Sequence, residues 1–464
     1  MSDRAAVMLE KLKTGLWPVP LLMAVLTLLL FVAVRAADQA LGPDLALRSA
    51  WLYSGSGEDA SNLLATLVTG IITMSSIVFS ITIVTLTLAA AQFGSRLIRI
   101  YMSDVRTKLA LGSYTMTIVY CLLALRSVDG AMAPEQVPHF VVTLGFLFGL
   151  VCVLVLLFFL HFVARSIIAD EVIGSVAAEL EESLLELAPL RPGAAAPVDP
   201  RTLAPRERGA LLRSSREGYI QAITHERMVA VAAEHGLAVH LHVRAGEFVC
   251  KHGWLGTVHP AAQVTPDLED ALRKAVLIGE VRTPTQDLEF SIRQLVDIAL
   301  RALSPGINDA NTAIVVVDRL RGALSRLLAR SLPQAVHCDA SGEPRVIGKH
   351  HTYAGIFDAA LNQIRQSAAP HPAVIIALLR GLGPLAQHVR LPEQREALLH
   401  HARLIADAGL REVDEARDRA DIEAACTETE RQLHANAELA LREFTPAADM
   451  RRDPLELSVA EPTR

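Results

Sequence analysis

Hydroxyl side chains recur at a fixed interval in one long apolar stretch of the chain. Thr66, Thr73, Ser80 and Thr87 repeat every seven residues, and Asn62, Thr69 and Ser76 repeat every seven in the intervening register. Interleaved repeats of this kind, with a mean spacing of 3.5 residues, draw a single stripe along a helix that crosses its neighbours left-handedly. The 21 residue steps from Thr66 to Thr87 correspond to about 32 Å of helix, enough to traverse the hydrocarbon of a bilayer.

Two chemistries suit such a stripe. Small hydroxylated residues let helices approach closely and bond across the contact or back to their own carbonyls. Alternatively, several copies arranged about an axis make the stripe the wall of a water-filled path. No acidic or basic side chain interrupts it, so ion selectivity would fall to Arg96, Arg99 and Arg106 just beyond its end. These arginines would attract anions at a cytoplasmic mouth, or else hold anionic lipid headgroups and fix topology.

Three other groups offer less. Asn308, Asp309 and Asn311 make a dense polar turn that could bind a cation or small ligand through oxygen, although capping of the next helix by Asp309 or Asn311 accounts for the same residues. His240 and His242 would share one face of a strand, a spacing compatible with a metal, but no third ligand lies nearby. Glu289, Arg293, Asp297 and Arg301 stand four apart and read as a solvated ladder of opposite charges. No nucleophile elbow, phosphate-binding glycine loop, H-E-x-x-H or EF-hand loop is present. The expectation is a non-enzymatic protein without cofactor or resident metal.

The elements that position these residues are largely membrane helices. At 51% hydrophobic and 20% charged, with positive mean hydropathy, the chain is too apolar for an ordinary soluble protein. Residues 17–34, 63–93, 109–125 and 140–162 lack charged side chains and approach or exceed the roughly 20 residues that cross a bilayer as helix. Arg35 follows the first stretch at once, without a small-x-small cleavage pattern, so this span is expected to remain as an anchor. Arg4, Lys11 and Lys13 precede it, and Arg96, Arg99, Arg106 and Lys108 lie between the second and third spans. The loop between the first two spans instead sets Arg35 and Arg48 against Asp38, Asp44, Glu58 and Asp59. The positive-inside bias then places both termini in the cytoplasm of a bacterial inner membrane. A formal charge of −6 argues against a nucleic-acid partner, and five dispersed cysteines without a C-x-x-C pair define no disulfide framework or zinc site.

Beyond the spans, residues 170–187 have helical spacing and 189–208 form a linker rich in proline, alanine and arginine. Strands are expected at 218–223 and 237–243, a helix at 226–235 ended by Gly236, and a turn over 244–247 before Phe248. Over about twenty residues this pattern resembles a barrel-sandwich module of the lipoyl-carrier type, but no lysine sits at a hairpin tip, so no lipoylation is inferred. Thr283 or Thr285 can cap a helix over 287–303, which Ser304, Pro305 and Gly306 stop. Ser341 and Gly342 can turn a hairpin within 335–346; 357–366, 371–379 and 393–441 read as bundle helices, and 446–464 as a disordered tail.

Residues 302–313 (ALSPGINDANTA), 290–300 (FSIRQLVDIAL), 75–100 (SSIVFSITIVTLTLAAAQFGSRLIRI) and 218–223 (GYIQAI) resemble the signature of the bacterial membrane proteins known as domain of unknown function 2254. Ala310 departs from it, standing where the family usually has proline. The resemblance implies an uncharacterised integral membrane protein and carries no reaction or substrate.

The expected fold is therefore an α-helical membrane protein with four transmembrane helices, followed by a mainly helical α+β cytosolic region containing a small β module. Its parts are a membrane domain at 1–164, stalk and linker at 165–217, β module at 218–264, helical domain at 265–445 and tail at 446–464. The functional expectation is a homo-oligomeric channel or pore-like protein in the lipid bilayer, with Thr66, Thr69, Thr73, Ser76, Ser80 and Thr87 lining or supporting its path. The alternative is a membrane-anchored ligand sensor or protein scaffold.

Overall fold

A computed structural model describes residues 15–41, 52–93, 102, 104–166, 169–192 and 209–444. The chain divides into two compact units, residues 1–172 and 173–464.

The first unit is a bundle of four apolar helices long enough to cross a membrane: α1 (Pro18–Leu41), α2 (Gly57–Phe93), α3 (Val105–Ser127) and α4 (His139–Ser166). The third helix, the shortest apolar run in the sequence, packs against all three others. Half of its most apolar stretch is buried inside the protein, against 11% for α1. Its tyrosines suit that place. Tyr114 donates to the Cys152 carbonyl at 2.8 Å and Tyr120 to the Val141 carbonyl at 3.2 Å, so neither hydroxyl is left unmet among apolar side chains. Phe31 and Phe148 meet the Tyr120 ring edge-on. Leu64, Ile71 and Val78 of α2 and Val142 and Cys152 of α4 complete this core. Outward, α1 and α4 expose Leu22, Leu29, Leu147 and Phe158, as lipid-facing surfaces do.

Helix α5 (Ala169–Leu185) leads into the second unit, whose strands build two small sheets. Strands β1 (Ala210–Arg213), β3 (Ala238–Leu241), β5 (Trp254–His259), β7 (Val336–Cys338) and β8 (Pro344–Ile347) form one sheet in the order β1-β5-β3-β8-β7, in which only β3 and β8 run parallel. The other sheet orders β4 (Phe248–Val249), β2 (Gly218–Ile223) and β6 (Val276–Gly279), all antiparallel. Helix α6 (His225–Glu234) ends at Gly236, whose φ of +62° suits a residue without Cβ; α7 (Pro266–Arg273) is capped by Thr265. Ile220, Met228, Leu237, Val239, Leu255 and Val258 pack together in a core to which distant Val346 also contributes.

The remaining helices are α8 (Glu289–Ala302), α9 (Ala310–Leu327), α10 (Tyr353–Ala368), α11 (Pro372–Leu382), α12 (Pro392–Glu412) and α13 (Ala416–Phe444). They bury Leu295, Leu320, Phe357, Leu378, Leu398 and Leu433. Three sequence expectations change here. The run 393–441 is two helices, because Val413 is extended and buried and α13 turns back onto α12. Neither Thr283 nor Thr285 caps α8, which starts after Leu288 without a side-chain cap; Asp287 accepts the Glu289 amide at 3.2 Å, and Thr283 is buried upstream. The third strand is shorter than expected, ending at Leu241, although His240 and His242 still alternate with buried Val239, Leu241 and Val243; His240 packs against the His259 ring and His242 is exposed. The expected tail lies outside the described residues.

Candidate functional site

The 3.5-residue repeat gives α2 two distinct faces. Ala60, Leu64, Val68, Ile71, Val78 and Ala89 are buried against the bundle, whereas Asn62, Thr66, Thr69, Thr73, Ser76, Ser80 and Thr87 are all exposed. The whole hydroxyl stripe thus looks away from the bundle's own core. Its hydroxyls donate back along the helix: Thr66 to the Asn62 carbonyl at 2.8 Å, Thr69 to Ala65 at 2.9 Å, Thr73 to Thr69 at 3.0 Å, Ser76 to Ile72 at 3.0 Å and Thr87 to Ile83 at 2.9 Å. Donors met in this way make the stripe tolerable in lipid, while each oxygen keeps lone pairs for water or a neighbouring helix. Ile83 occupies the position where the Asn62, Thr69 and Ser76 register would place the next polar residue, and it is 63% exposed. The stripe is therefore interrupted once by an apolar side chain.

A second polar set, not singled out from sequence, faces inward. Ser75, Thr82 and Thr85 of α2 and Thr107 and Thr117 of α3 are buried. Thr82, Thr85 and Thr107 border a cavity of about 20 Å³ that Phe159 and Phe162 also line, space for about one water. Their signal in the sequence was the same helical spacing, one face round from the stripe.

Beyond α2, Arg96 and Arg99 lie outside the described residues. The guanidinium of Arg106 stands over the Phe162 ring at 5.3 Å, engaged by α4 in a cation–π contact.

In the second unit Asp309 caps α9. Its carboxylate accepts the Thr312 hydroxyl at 2.6 Å and the Thr312 amide at 3.0 Å, and these bonds hold its pKa below the ordinary aspartate value. Asn308 adopts a left-handed φ of +53°, and both Asn308 and Asn311 are exposed. No set of three or more His, Cys, Asp or Glu side chains is placed to hold a metal among the described residues.

The charge ladder differs most from expectation. Glu289 is not solvated: its side chain is 5% exposed. It bonds Arg244 at 2.5 Å and Arg293 at 2.6 Å, with His351 at 3.6 Å. Burial alone would raise the Glu289 carboxyl, but hydrogen bonds from His351, Arg244 and Arg293 outweigh it and hold its pKa well below the usual carboxylate range. Beside it, fully buried Asp287 pairs with Arg282, and a Cβ at Gly246 (φ +87°) would collide with the Asp287 carboxylate. Lys349 bonds Glu247, which accepts from the Arg244 amide at 3.3 Å, so turn, helix start and the segment before α10 are joined by charge. Nearby in the fold, His225 and His337 stack at 4.1 Å; burial and the neighbouring ring bring His225 down to about 4.

The chain matches the family described as predicted membrane protein (DUF2254) over residues 13–383. It is 32% identical over 378 residues to the uncharacterized protein Mb1321c of Mycobacterium bovis and to the uncharacterized protein Rv1290c of Mycobacterium tuberculosis, covering 80% of this chain and 72% of each relative. No solved structure matches it.

Proposed function

Because the chain belongs to the DUF2254 family of predicted membrane proteins, we propose that it acts as a homo-oligomeric, pore-like protein of a bacterial inner membrane. Both termini lie in the cytoplasm, and the second unit assembles or gates the path without catalysing a reaction. The observation that carries this reading is the exposure of every hydroxyl in the α2 stripe on a single copy, opposite the face that packs into the bundle. Copies set about an axis would bring Thr66, Thr69, Thr73, Ser76, Ser80 and Thr87 to a common lumen. Ile83 would form its apolar constriction, a place where water is readily lost. With no charge in the stripe, selectivity would rest on Arg96, Arg99 and Arg106 at the cytoplasmic end, which favour anions.

Purified protein in liposomes tests this through release of an entrapped ionic dye or of chloride. Flux above that of empty vesicles is expected, reduced when Thr73, Ser76 or Ser80 is replaced by leucine and increased in Ile83→Ser. Flux equal to that of empty vesicles, or indifferent to all four substitutions, removes the pore.

A further inference from the structure

At the β1 edge of the five-stranded sheet two turns meet, residues 214–217 after β1 and residues 250–253 before β5. The Ser214 amide donates to the Gly253 carbonyl at 2.9 Å, the His252 amide to the Ser214 carbonyl at 3.0 Å, and the Arg213 guanidinium to the His252 carbonyl at 3.2 Å. The paired turns thus make one held tip, and the side chains it displays are presented by hydrogen-bonded backbone.

Two large rings flank the turn 250–253 uncovered: Phe248 is 55% exposed and Trp254 57%. Trp254 stands opposite Arg213 in the β1–β5 register. Arg213, Arg216 and Lys251 are exposed as well, and Glu217 is the one acidic residue within 213–217 and 248–254. Three cations against one carboxylate leave the tip positive in a chain whose formal charge is −6.

An indole among cations fits the headgroup layer of an anionic bilayer. Its apolar body and its N–H suit the boundary between acyl chains and water, and each Lys or Arg gains from the negative surface potential. An acidic protein could answer the charges too, but it would have to be met by collision. The bilayer is supplied by the chain itself, because the second unit follows the membrane helices through α5 and so meets lipid at high effective concentration.

We propose that this tip docks on the anionic headgroups of the membrane in which the chain is anchored, with Trp254 entering the headgroup layer and Arg213, Arg216 and Lys251 pairing with lipid phosphates. The docking goes beyond the pore reading and does not depend on it.

Full-length protein in lipid vesicles tests this, with phosphatidylcholine alone or mixed with an equal part of phosphatidylglycerol, and brominated acyl chains in both as a contact quencher of indole fluorescence. Subtracting the signal of Trp254→Phe protein isolates Trp254 from Trp17 and Trp51. In the phosphatidylglycerol vesicles Trp254 emission should shift to the blue and be quenched. Both effects should fade as salt rises from about 0.1 M to about 1 M, which shortens the screening length from about 10 Å to about 3 Å. Arg213→Gln and Lys251→Gln, both at exposed positions, should each lower the ratio of docked to free tip about fivefold, while Arg431→Gln, exposed on α13, leaves it unchanged. Water-like, unquenched Trp254 in phosphatidylglycerol vesicles, equal quenching in phosphatidylcholine alone, or quenching indifferent to salt or to both substitutions overturns the proposal. Protection of Trp254 from aqueous acrylamide without quenching by the brominated chains overturns it as well, by assigning the tip to a second copy of the chain. None of these outcomes depends on whether the protein conducts.

Discussion

Glu289 keeps its charge where water scarcely reaches, and the reason is the company it has. Arg244 arrives from the turn before β4, Arg293 from one helical turn along α8, and His351 from the segment before α10. Removing one partner of a buried ion pair commonly costs roughly 3–5 kcal/mol, because the others are left desolvated and unpaired. Here Arg244 and Arg293 are 20% and 37% exposed and can turn partly to water, so Glu289→Ala should destabilise the protein by about 3 kcal/mol, the low end of that range. Since the folded-state pKa of Glu289 is depressed, its contribution is complete above the unfolded carboxylate pKa and lost as pH falls through the lower folded value. Thermal or urea unfolding of the second unit, followed from neutral to acidic pH, should therefore show the variant and the parent converging in acid. Equal stability at pH 7 would mean that the network is ornamental. The sequence displayed the i,i+4 pairing of Glu289 with Arg293 but could not reveal its burial. The decisive partners lie 45 and 62 positions away in the numbering, and only the tertiary fold brings them in.

At the scale of elements, the hinge between α8 and α9 is the most legible part of the molecule. Ser304, Pro305 and Gly306 stop one helix and Asp309 starts the next, as their residue types require. Ala310 is the first residue of α9, where the amide has no helical partner to lose and proline's fixed φ matches the helix. Asp309 before it, at φ −102° and ψ 88°, lies outside the helical region that a following proline disfavours. Ala310→Pro should therefore stabilise the protein by about 0.4–1 kcal/mol through a stiffer unfolded chain. A lower unfolding midpoint would show that the Ala310 amide or φ is needed as it stands. Elsewhere local signals ran out. The break between α12 and α13 contains no glycine or proline; Val413 leaves the helix because it is buried as α13 folds back, and Arg419 closes the end by donating to its carbonyl at 3.2 Å. Strands β7 and β8 could be read as a hairpin from Ser341 and Gly342, but the parallel pairing of β8 with β3 is long-range and left no local mark.

For the molecule as a whole, the question is what covers α2. Amphipathic spacing showed that its hydroxyls share a face, and packing places that face outside the bundle; which neighbour meets it depends on association, which no single chain encodes locally. Lipid would tolerate the stripe, because its hydroxyls return their protons to the helix backbone. A second copy would gain more, since small side chains allow close approach and the free lone pairs could accept across the contact. The two cases differ in where identical residues from different copies meet. In a protein lacking its native cysteines, Thr73→Cys and Ser80→Cys should form intermolecular disulfides under mild oxidation in native membranes. Leu147→Cys, on the exposed apolar face of α4, should remain monomeric under the same treatment. The cross-linked fraction should stay constant when expression is lowered, because a built interface does not depend on chance collision. Cross-linking of Leu147→Cys as strong as that of Thr73→Cys, or a yield that falls in step with protein density, would assign the stripe to lipid and leave α2 a membrane span like its neighbours.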